Sequence, residues 1–145
     1  MFVENLTATI KLGKKLSKKL NPQSIVLLKG PIGAGKTSLV QGIAQGLSIS
    51  ADITSPTFSL SHHYKSGKIP LIHLDLYRLE NISSAKEVFY SEEEEALLSK
   101  AILVIEWPEL IEPHIENFWK IKISYAKNYG RHYEIRDPKN LLTFS

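Results

Sequence analysis

The chain has 145 residues and a formal net charge of +3, and it contains no cysteine. We expect a single domain over residues 1–145, because this length and the 43% of hydrophobic residues suit one packed core. The lack of cysteine excludes disulfides, thiolate catalysis and cysteine-ligated zinc. Residues 1–5 lack the basic start of a signal peptide, and no stretch reaches the ~20 apolar residues of a membrane span. We therefore expect a cytoplasmic location without membrane contact.

The first predicted element is an amphipathic helix over residues 7–20, with Asn5 or Thr7 as its N-cap. Apolar residues gather in one arc at about 100° per residue, and five lysines occupy the opposite arc. We interpret the lysine arc as a solvated face, and an electrostatic contact with RNA or an acidic partner is the alternative. These lysines are Lys11, Lys14, Lys15, Lys18 and Lys19.

Residues 30–37 fit the phosphate-binding pattern Gly-x-x-x-x-Gly-Lys-Thr. Glycines let the backbone curl, so that successive N–H groups point at phosphate oxygens. Lys36 supplies a positive charge for the outer phosphates, and the Thr37 hydroxyl is the kind of oxygen ligand that Mg²⁺ prefers. The nucleotide contacts predicted here are Gly33, Ala34, Gly35, Lys36, Thr37 and Ser38.

The flanks of this loop have the order that the pattern requires. Residues 24–29 are an aliphatic run of the length of a buried parallel strand, and residues 36–45 have helical spacing. Gly46 stands where the C′ residue of that helix is expected. A plain turn between strand and helix is the alternative, but such a turn needs neither Lys36 nor Thr37.

The middle of the chain predicts a loop, a strand and a helix. Residues 52–61 are polar and lead into a short extended segment. Residues 70–75 indicate a strand that ends in a carboxylate. A helix follows, with Ser83 or Ser84 as its cap, and extends to Ser99.

The last third of the chain is rich in strands. Residues 101–105 predict a fully apolar strand, and residues 119–125 and 131–136 predict an antiparallel hairpin near the edge of the sheet. Strands alternate with helices before that hairpin. The pattern therefore predicts an α/β fold like that of the P-loop NTPases, with three layers, a mostly parallel central sheet and an antiparallel C-terminal hairpin.

Two carboxylates follow predicted parallel strands, Asp75 and Glu106. Ligands of open α/β sheets gather at the carboxyl ends of the strands, so either acid can bind Mg²⁺ or orient an attacking water. A helix cap or a surface salt bridge is the alternative for each. Thr57 lies where a segment that senses the γ-phosphate is often found, with a plain loop threonine as the alternative. His73 alternates with apolar residues, which favours a structural over a catalytic histidine.

Three further strings, together with the phosphate loop, resemble the TsaE family, also called YjeE. They are Ser-Pro-Thr-Phe at 55–58, His-Leu-Asp-Leu-Tyr-Arg-Leu at 73–79 and Glu-Trp-Pro-Glu at 106–109. This family comprises small ATPases of bacterial tRNA threonylcarbamoyladenosine synthesis. Residues 88–92 read Val-Phe-Tyr-Ser-Glu and depart from the Leu-Gly or Met-Gly pair frequent in the family. The departure leaves the local loop geometry and partner contacts open.

The resemblance implies an Mg²⁺-dependent ATPase of low basal turnover that acts on the TsaD–TsaB pair. In that family TsaD transfers the threonylcarbamoyl group to an adenosine beside the anticodon, so tRNA would be met only through the complex. Matching the strings implies Lys36, Asp75 and Glu106 as catalytic residues, and Thr37 and Glu106 as Mg²⁺ ligands. The strings also put Thr57 in a switch-like segment and Trp107 beside the site. The resemblance extends to the N-terminal helix and the turn at residues 130–131, which implies that Thr9 and Arg131 lie near the nucleotide.

Two other functions are compatible with a phosphate loop. One is a small kinase that phosphorylates a metabolite, although such kinases usually carry an arginine-rich lid and this chain has only Arg78, Arg131 and Arg136. The other is a nucleotide-gated binding module with negligible turnover, against which Asp75 and Glu106 both argue.

Overall fold

The computed structural model describes residues 1–143, which form an eight-stranded mixed sheet with helices on both faces. In chain order the elements are β1 (Phe2–Val3), α1 (Leu6–Ser17), β2 (Ile25–Lys29), α2 (Lys36–Gly46), β3 (Ser61–Tyr64), β4 (Leu71–Asp75), α3 (Ile82–Ser99), β5 (Ile102–Glu106), a 3₁₀ turn (Glu112–His114), β6 (Trp119–Tyr125), β7 (Arg131–Arg136) and β8 (Leu142–Thr143). Across the sheet the order is β1-β7-β6-β2-β5-β4-β3, and β8 pairs with β7.

The centre of the sheet is parallel and its edges are antiparallel. β2 pairs in parallel with both β5 and β6, and β5 pairs in parallel with β4. β3 at one edge and the β6–β7 hairpin near the other are antiparallel. The predicted α/β fold, with a mostly parallel sheet and an antiparallel C-terminal hairpin, is confirmed.

Each face of the sheet is covered by a helical layer, which explains why the central strands are apolar on both faces. On one face, Leu16 of α1 and Ile43 of α2 belong to a buried cluster with Val26 of β2. On the other face, Phe89 of α3 packs in a cluster with Leu27 of β2. Within residues 1–143, no helix combines the length and the apolarity needed to cross a bilayer.

Helix α1 starts as predicted and ends early. The Asn5 side chain accepts a hydrogen bond from the Ala8 backbone N–H at 2.9 Å, which confirms one of the two predicted caps. The helix ends at Ser17 instead of residue 20, because the N–H of Leu20 bonds to the Ser17 carbonyl three residues back. All five lysines of the lysine arc are exposed.

Helices α1 and α2 are in backbone contact through glycine, which corrects the role predicted for Gly46. Gly46 is the last residue of α2, and the cap residue is Leu47. A Cβ on Gly46 would overlap the Ser17 hydroxyl, and a Cβ on Gly42 would overlap the Ile10 carbonyl oxygen. Glycine at both positions therefore serves the close approach of the two helices and not the end of α2.

One further local prediction needs correction. The caps predicted at Ser83 and Ser84 are wrong, because the Asn81 side chain accepts a hydrogen bond from the Ser84 backbone N–H at 2.8 Å and caps α3 itself. The short extended segment expected after the polar residues 52–61 is present as β3, which begins at Ser61 and pairs with β4.

Candidate active site

Three neighbouring parallel strands, β2, β5 and β4, have their carboxyl ends on the same side of the sheet. The residues at and after these ends line a cavity of about 570 Å³. The loop of residues 30–35 follows β2. Asp75 is the last residue of β4, Glu106 is the last residue of β5, and the two are direct register partners. The parallel sheet thus brings the loop and both carboxylates to the carboxyl ends of the strands, where such folds bind ligands.

The loop has the backbone that its glycines permit. Gly33 and Gly35 have φ angles of 79° and 106°, in the left-handed region that side chains disfavour. A Cβ on Gly30 would lie 2.8 Å from the Ile123 carbonyl oxygen, so the loop lies directly on β6. Helix α2 begins at Lys36, and its first N–H groups have no partner within the helix. These N–H groups and the helix dipole suit an anion.

Lys36 is buried at the centre of the site and has three neighbours. Its ammonium donates to the carbonyl oxygens of Gly30 and, at 3.3 Å, Pro31. It also lies 3.9 Å from the centroid of the Trp107 ring. Trp107 has a φ of 56°, a backbone strain that costs about 1–2 kcal/mol, and its ring contacts Tyr77 at 4.8 Å between centroids. Strained backbone of this kind clusters at functional sites.

Burial lowers the pKa of the Lys36 ammonium below its ordinary value. The carboxylates of Glu106, Asp75 and Glu109 oppose this effect without cancelling it. A further anion beside Lys36 would therefore stabilise its charged form.

Both carboxylate oxygens of Asp75 accept a hydrogen bond. Its Oδ2 accepts from the Ser55 hydroxyl at 2.9 Å, and its Oδ1 accepts from the Tyr77 backbone N–H at 2.9 Å. The Thr57 hydroxyl donates in turn to the Ser55 hydroxyl at 3.3 Å. Thr57, Ser55 and Asp75 thus form one chain of hydrogen bonds from the loop after α2 to the carboxyl end of β4.

Glu106 is 3% exposed, and its carboxylate is hydrogen-bonded to a buried histidine. The Nε2 atom of His73, a fully buried residue, lies 2.5 Å from Glu106 Oε2.

The β6–β7 hairpin holds the outer side of the loop. The Arg131 guanidinium donates to the carbonyl oxygens of Ala34 at 3.2 Å and Gly33 at 3.3 Å. The Tyr125 hydroxyl donates to the Ile32 carbonyl oxygen at 2.7 Å, and the Arg131 guanidinium lies over the Tyr125 ring. These bonds use loop carbonyls, so they leave the loop N–H groups to other partners.

The N-terminal segment supplies another wall. Thr9 is buried in α1, and its hydroxyl lies 3.2 Å from the Tyr133 hydroxyl of β7. Burial raises the pKa of the Tyr133 hydroxyl, against the opposing effects of Thr9 and of the Arg131 charge. Tyr133 therefore stays neutral, and either hydroxyl can donate the hydrogen of this bond.

Every site residue predicted from the sequence lines the one cavity. These are Thr9, Gly33, Ala34, Gly35, Lys36, Thr37, Ser38, Thr57, Asp75, Glu106, Trp107 and Arg131. Sequence reasoning assigned no role to Ser55, Tyr77 or Tyr129, which line it as well. Ser55 and Tyr77 belong to two of the strings quoted above, so those strings were the available signal. Tyr129 lies between the two strands of the predicted hairpin, where the sequence gave no signal of a functional role.

The oxygen atoms in the cavity suit a hard cation. The hydroxyl of Thr37 and the carboxylates of Asp75 and Glu106 are the ligand types that Mg²⁺ takes. Within residues 1–143, no three His, Cys, Asp or Glu residues form a metal-binding group.

A family model described as "Threonylcarbamoyl adenosine biosynthesis protein TsaE" matches residues 3–133. The chain belongs to the TsaE family. The matched range contains every residue that lines the cavity, from Val3 to Arg131.

Individual relatives and one solved structure agree with this membership. The chain is 40% identical over 138 residues to the tRNA threonylcarbamoyladenosine biosynthesis protein TsaE of a Nostoc species, over 93% of this chain and 83% of the relative. It is 44% identical over 111 residues to the TsaE protein of a Synechocystis species, over 74% of this chain and 69% of the relative. The crystal structure of Bacillus subtilis YdiB matches with a TM-score of 0.74 and 26% identity, over 92% of this chain and 80% of that one.

Proposed function

We propose that this TsaE-family chain is the Mg²⁺-dependent ATP-binding and ATP-hydrolysing component of the machinery that makes threonylcarbamoyladenosine in tRNA. Family membership supports the pathway, because the relatives bear the name of that biosynthesis. The observation that carries the reaction is the meeting of the loop residue Lys36 with Asp75 and Glu106 in one cavity. A site for phosphate alone would need no carboxylates at its edge.

The chain's residues divide into phosphate, metal and water contacts. The loop N–H groups and Lys36 would bind the phosphates, whose negative charge would stabilise the charged form of Lys36 that burial disfavours. Thr37 and Glu106 would hold Mg²⁺, which supplies charge neutralisation on the transferred phosphoryl group when bound. Asp75, fixed by Ser55 and the Tyr77 N–H, would accept a hydrogen bond from the attacking water and orient it.

Three further residues would support the nucleotide. Thr57 is connected to Asp75 through Ser55, which suits a segment that responds to the γ-phosphate. Arg131 would keep the loop in shape through the Gly33 and Ala34 carbonyls, and Thr9 would complete the wall formed by α1.

The partners proposed are TsaD and TsaB, with tRNA reached through their complex. A low basal turnover that changes on complex formation is the expected behaviour of an ATPase that acts on a protein assembly. The exposed aromatic side chains Phe58 and Tyr129 beside the cavity suit a site that meets another protein.

The decisive experiment measures phosphate release from ATP by this protein, alone and with the TsaD–TsaB pair. We expect Mg²⁺-dependent hydrolysis whose rate changes with the partners, and no hydrolysis by Lys36→Ala prepared in the same way. Partners that neither bind nor change turnover would overturn the proposed role. Transfer of phosphate to a metabolite, with no free phosphate formed, would instead indicate the small kinase.

A further inference from the structure

His73 lies next to Glu106 because of strand register. β4 and β5 pair in parallel with His73 opposite Val104, and Glu106 stands two residues beyond Val104. Side chains two residues apart on a strand point to the same face, so His73 and Glu106 are diagonal neighbours on one face of the sheet. Both side chains are almost completely buried, and Nε2 to Oε2 is 2.5 Å.

The chemistry of the two groups fixes the direction of this hydrogen bond. A carboxylate that binds a metal is ionised, and an ionised carboxylate only accepts hydrogen bonds. The ring therefore donates through Nε2–H. His73 Nδ1 has no hydrogen-bond partner in the described part of the chain.

A histidine at this buried position therefore destabilises the fold relative to an apolar residue. A buried polar atom without a partner costs about 1–3 kcal/mol, a cost that an apolar side chain at this position would avoid. The neighbouring strand residues Ile72 and Leu74 are apolar and buried. In the described part of the chain, the hydrogen bond that the His73 side chain makes is the one to Glu106.

We propose that His73 is a positioning residue for Glu106. Its Nε2–H binds Oε2, fixes the plane of the carboxylate, and leaves Oε1 as the oxygen available to Mg²⁺. Hydrogen-bond partners of this kind typically change metal affinity or activity by about 10–100-fold when removed. This inference rests on the proposed function, since it assigns His73 a role toward the cation that Glu106 would hold.

The first test compares three variants of His73. The Gln amide nitrogen extends as far along the side chain as Nε2, so His73→Gln keeps a donor for Glu106, whereas His73→Leu and His73→Asn do not. We expect the Mg²⁺ concentration for half-maximal hydrolysis to rise about 10–100-fold in the Leu and Asn variants and only a few-fold in Gln. Metal-free affinity for ADP should be unchanged in all three.

A matched control separates this effect from general damage. His63→Leu makes the same substitution on β3, at a surface histidine bound to Glu92, and should leave the Mg²⁺ dependence unchanged. If His73→Leu does not melt cooperatively, His73→Asn and His73→Gln decide the question. Equal Mg²⁺ dependence in Asn, Gln and the parent protein would overturn the proposal.

A double-mutant cycle tests whether His73 acts through Glu106. In a Glu106→Gln background the role of the carboxylate is already lost, so adding His73→Leu should reduce hydrolysis no further. Fully additive losses would show that His73 acts by another route and would overturn the proposal.

A measurement without metal or nucleotide completes the test. Side-chain ¹⁵N NMR of the free protein should show the His73 proton on Nε2, and Glu106→Leu should shift that resonance. A proton on Nδ1 alone would overturn the proposal. This readout is independent of turnover, so a protein with the expected tautomer but no ATPase activity would contradict only the proposed function.

Discussion

Arg131 donates a hydrogen bond to the carbonyl oxygen of Ala34 at 3.2 Å, although the two residues are 97 positions apart in the chain. Ala34 stands between the two glycines of the loop that have positive φ angles. Arg131 therefore supports the part of the loop where the backbone is left-handed. A lysine could not reproduce this support, because it lacks the planar fork of donors that reaches both Ala34 and Gly33.

Replacing Arg131 by Ala should weaken nucleotide binding about tenfold. Hydrogen bonds from a charged donor are worth about 1.5–3 kcal/mol, and 1.4 kcal/mol corresponds to a factor of ten in affinity. The measurement is a titration with a fluorescent ADP analogue. Arg136→Ala is the control, since Arg136 lies on the same strand but binds Glu134. If both variants bind as tightly as the parent, Arg131 does not shape the loop.

Asp75→Asn and Glu106→Gln should each lower the hydrolysis rate by on the order of 10²-fold, because Asp75 is the proposed water-orienting carboxylate and Glu106 the proposed Mg²⁺ ligand. Binding of ATP should fall much less, because the loop and Lys36 remain. Single-turnover hydrolysis and equilibrium binding, measured on the same samples, separate the two effects. Glu116→Gln, at an exposed glutamate, is the control. A variant with undiminished turnover would remove its carboxylate from the mechanism.

The lowered pKa of Lys36 predicts proton uptake on nucleotide binding. Between this lowered value and about 10.4, the ordinary value for lysine, the folded protein binds fewer protons than the unfolded chain. This pH range is the window in which the contribution of Lys36 to the free energy of unfolding changes with pH. That contribution is complete above the window and is lost as the pH falls through the lowered pKa. Phosphate favours the charged form, so binding within the window should take up a proton. Calorimetry in two buffers of different ionisation enthalpy measures this uptake.

The control for that measurement is Lys36→Arg, whose guanidinium remains charged throughout the same pH range. Its nucleotide binding should take up no proton in the window. Equal proton uptake by the parent and by this variant would assign the linkage to another group.

Gly42→Ala should lower the free energy of unfolding by about 1–3 kcal/mol, the usual cost of overpacking. Alanine favours helix by up to ~1 kcal/mol over glycine, but its Cβ would overlap the backbone carbonyl of Ile10, which cannot rotate away. Urea unfolding measures the change. Gln45→Ala, at an exposed position of the same helix, should be neutral or slightly stabilising. A stabilised Gly42→Ala protein would mean that α1 can shift from α2.

The sequence alone was sufficient to predict a site residue where the local pattern of residue types also marks its position in the fold. The positions of Asp75 and Glu106 followed from strands that end in an acid, and parallel pairing then made them neighbours. The roles of other residues depend on distant partners. Neither the Ser55–Asp75 bond nor the His73–Glu106 bond has a local signature, because each joins residues at least 20 positions apart.

Gly46 illustrates the same limit for backbone structure. A glycine near the end of a helical pattern indicates a C′ residue when only the local chain is considered. In the fold, the tertiary contact with Ser17 requires a glycine at that position for a different reason. The positive φ of Trp107 likewise has no signature in a residue type that rarely adopts it.

The bond between Thr9 and Tyr133 has a consequence for how the protein is made. The two residues are separated by 124 positions, and chains are synthesised at about 5–20 residues per second, so roughly 6–25 s pass between their additions. The loop of residues 30–35 emerges early, yet the wall formed by Thr9 and the hairpin cannot close until Tyr133 has been added. The cavity at the carboxyl ends of the strands is therefore complete only after the β6–β7 hairpin has been synthesised.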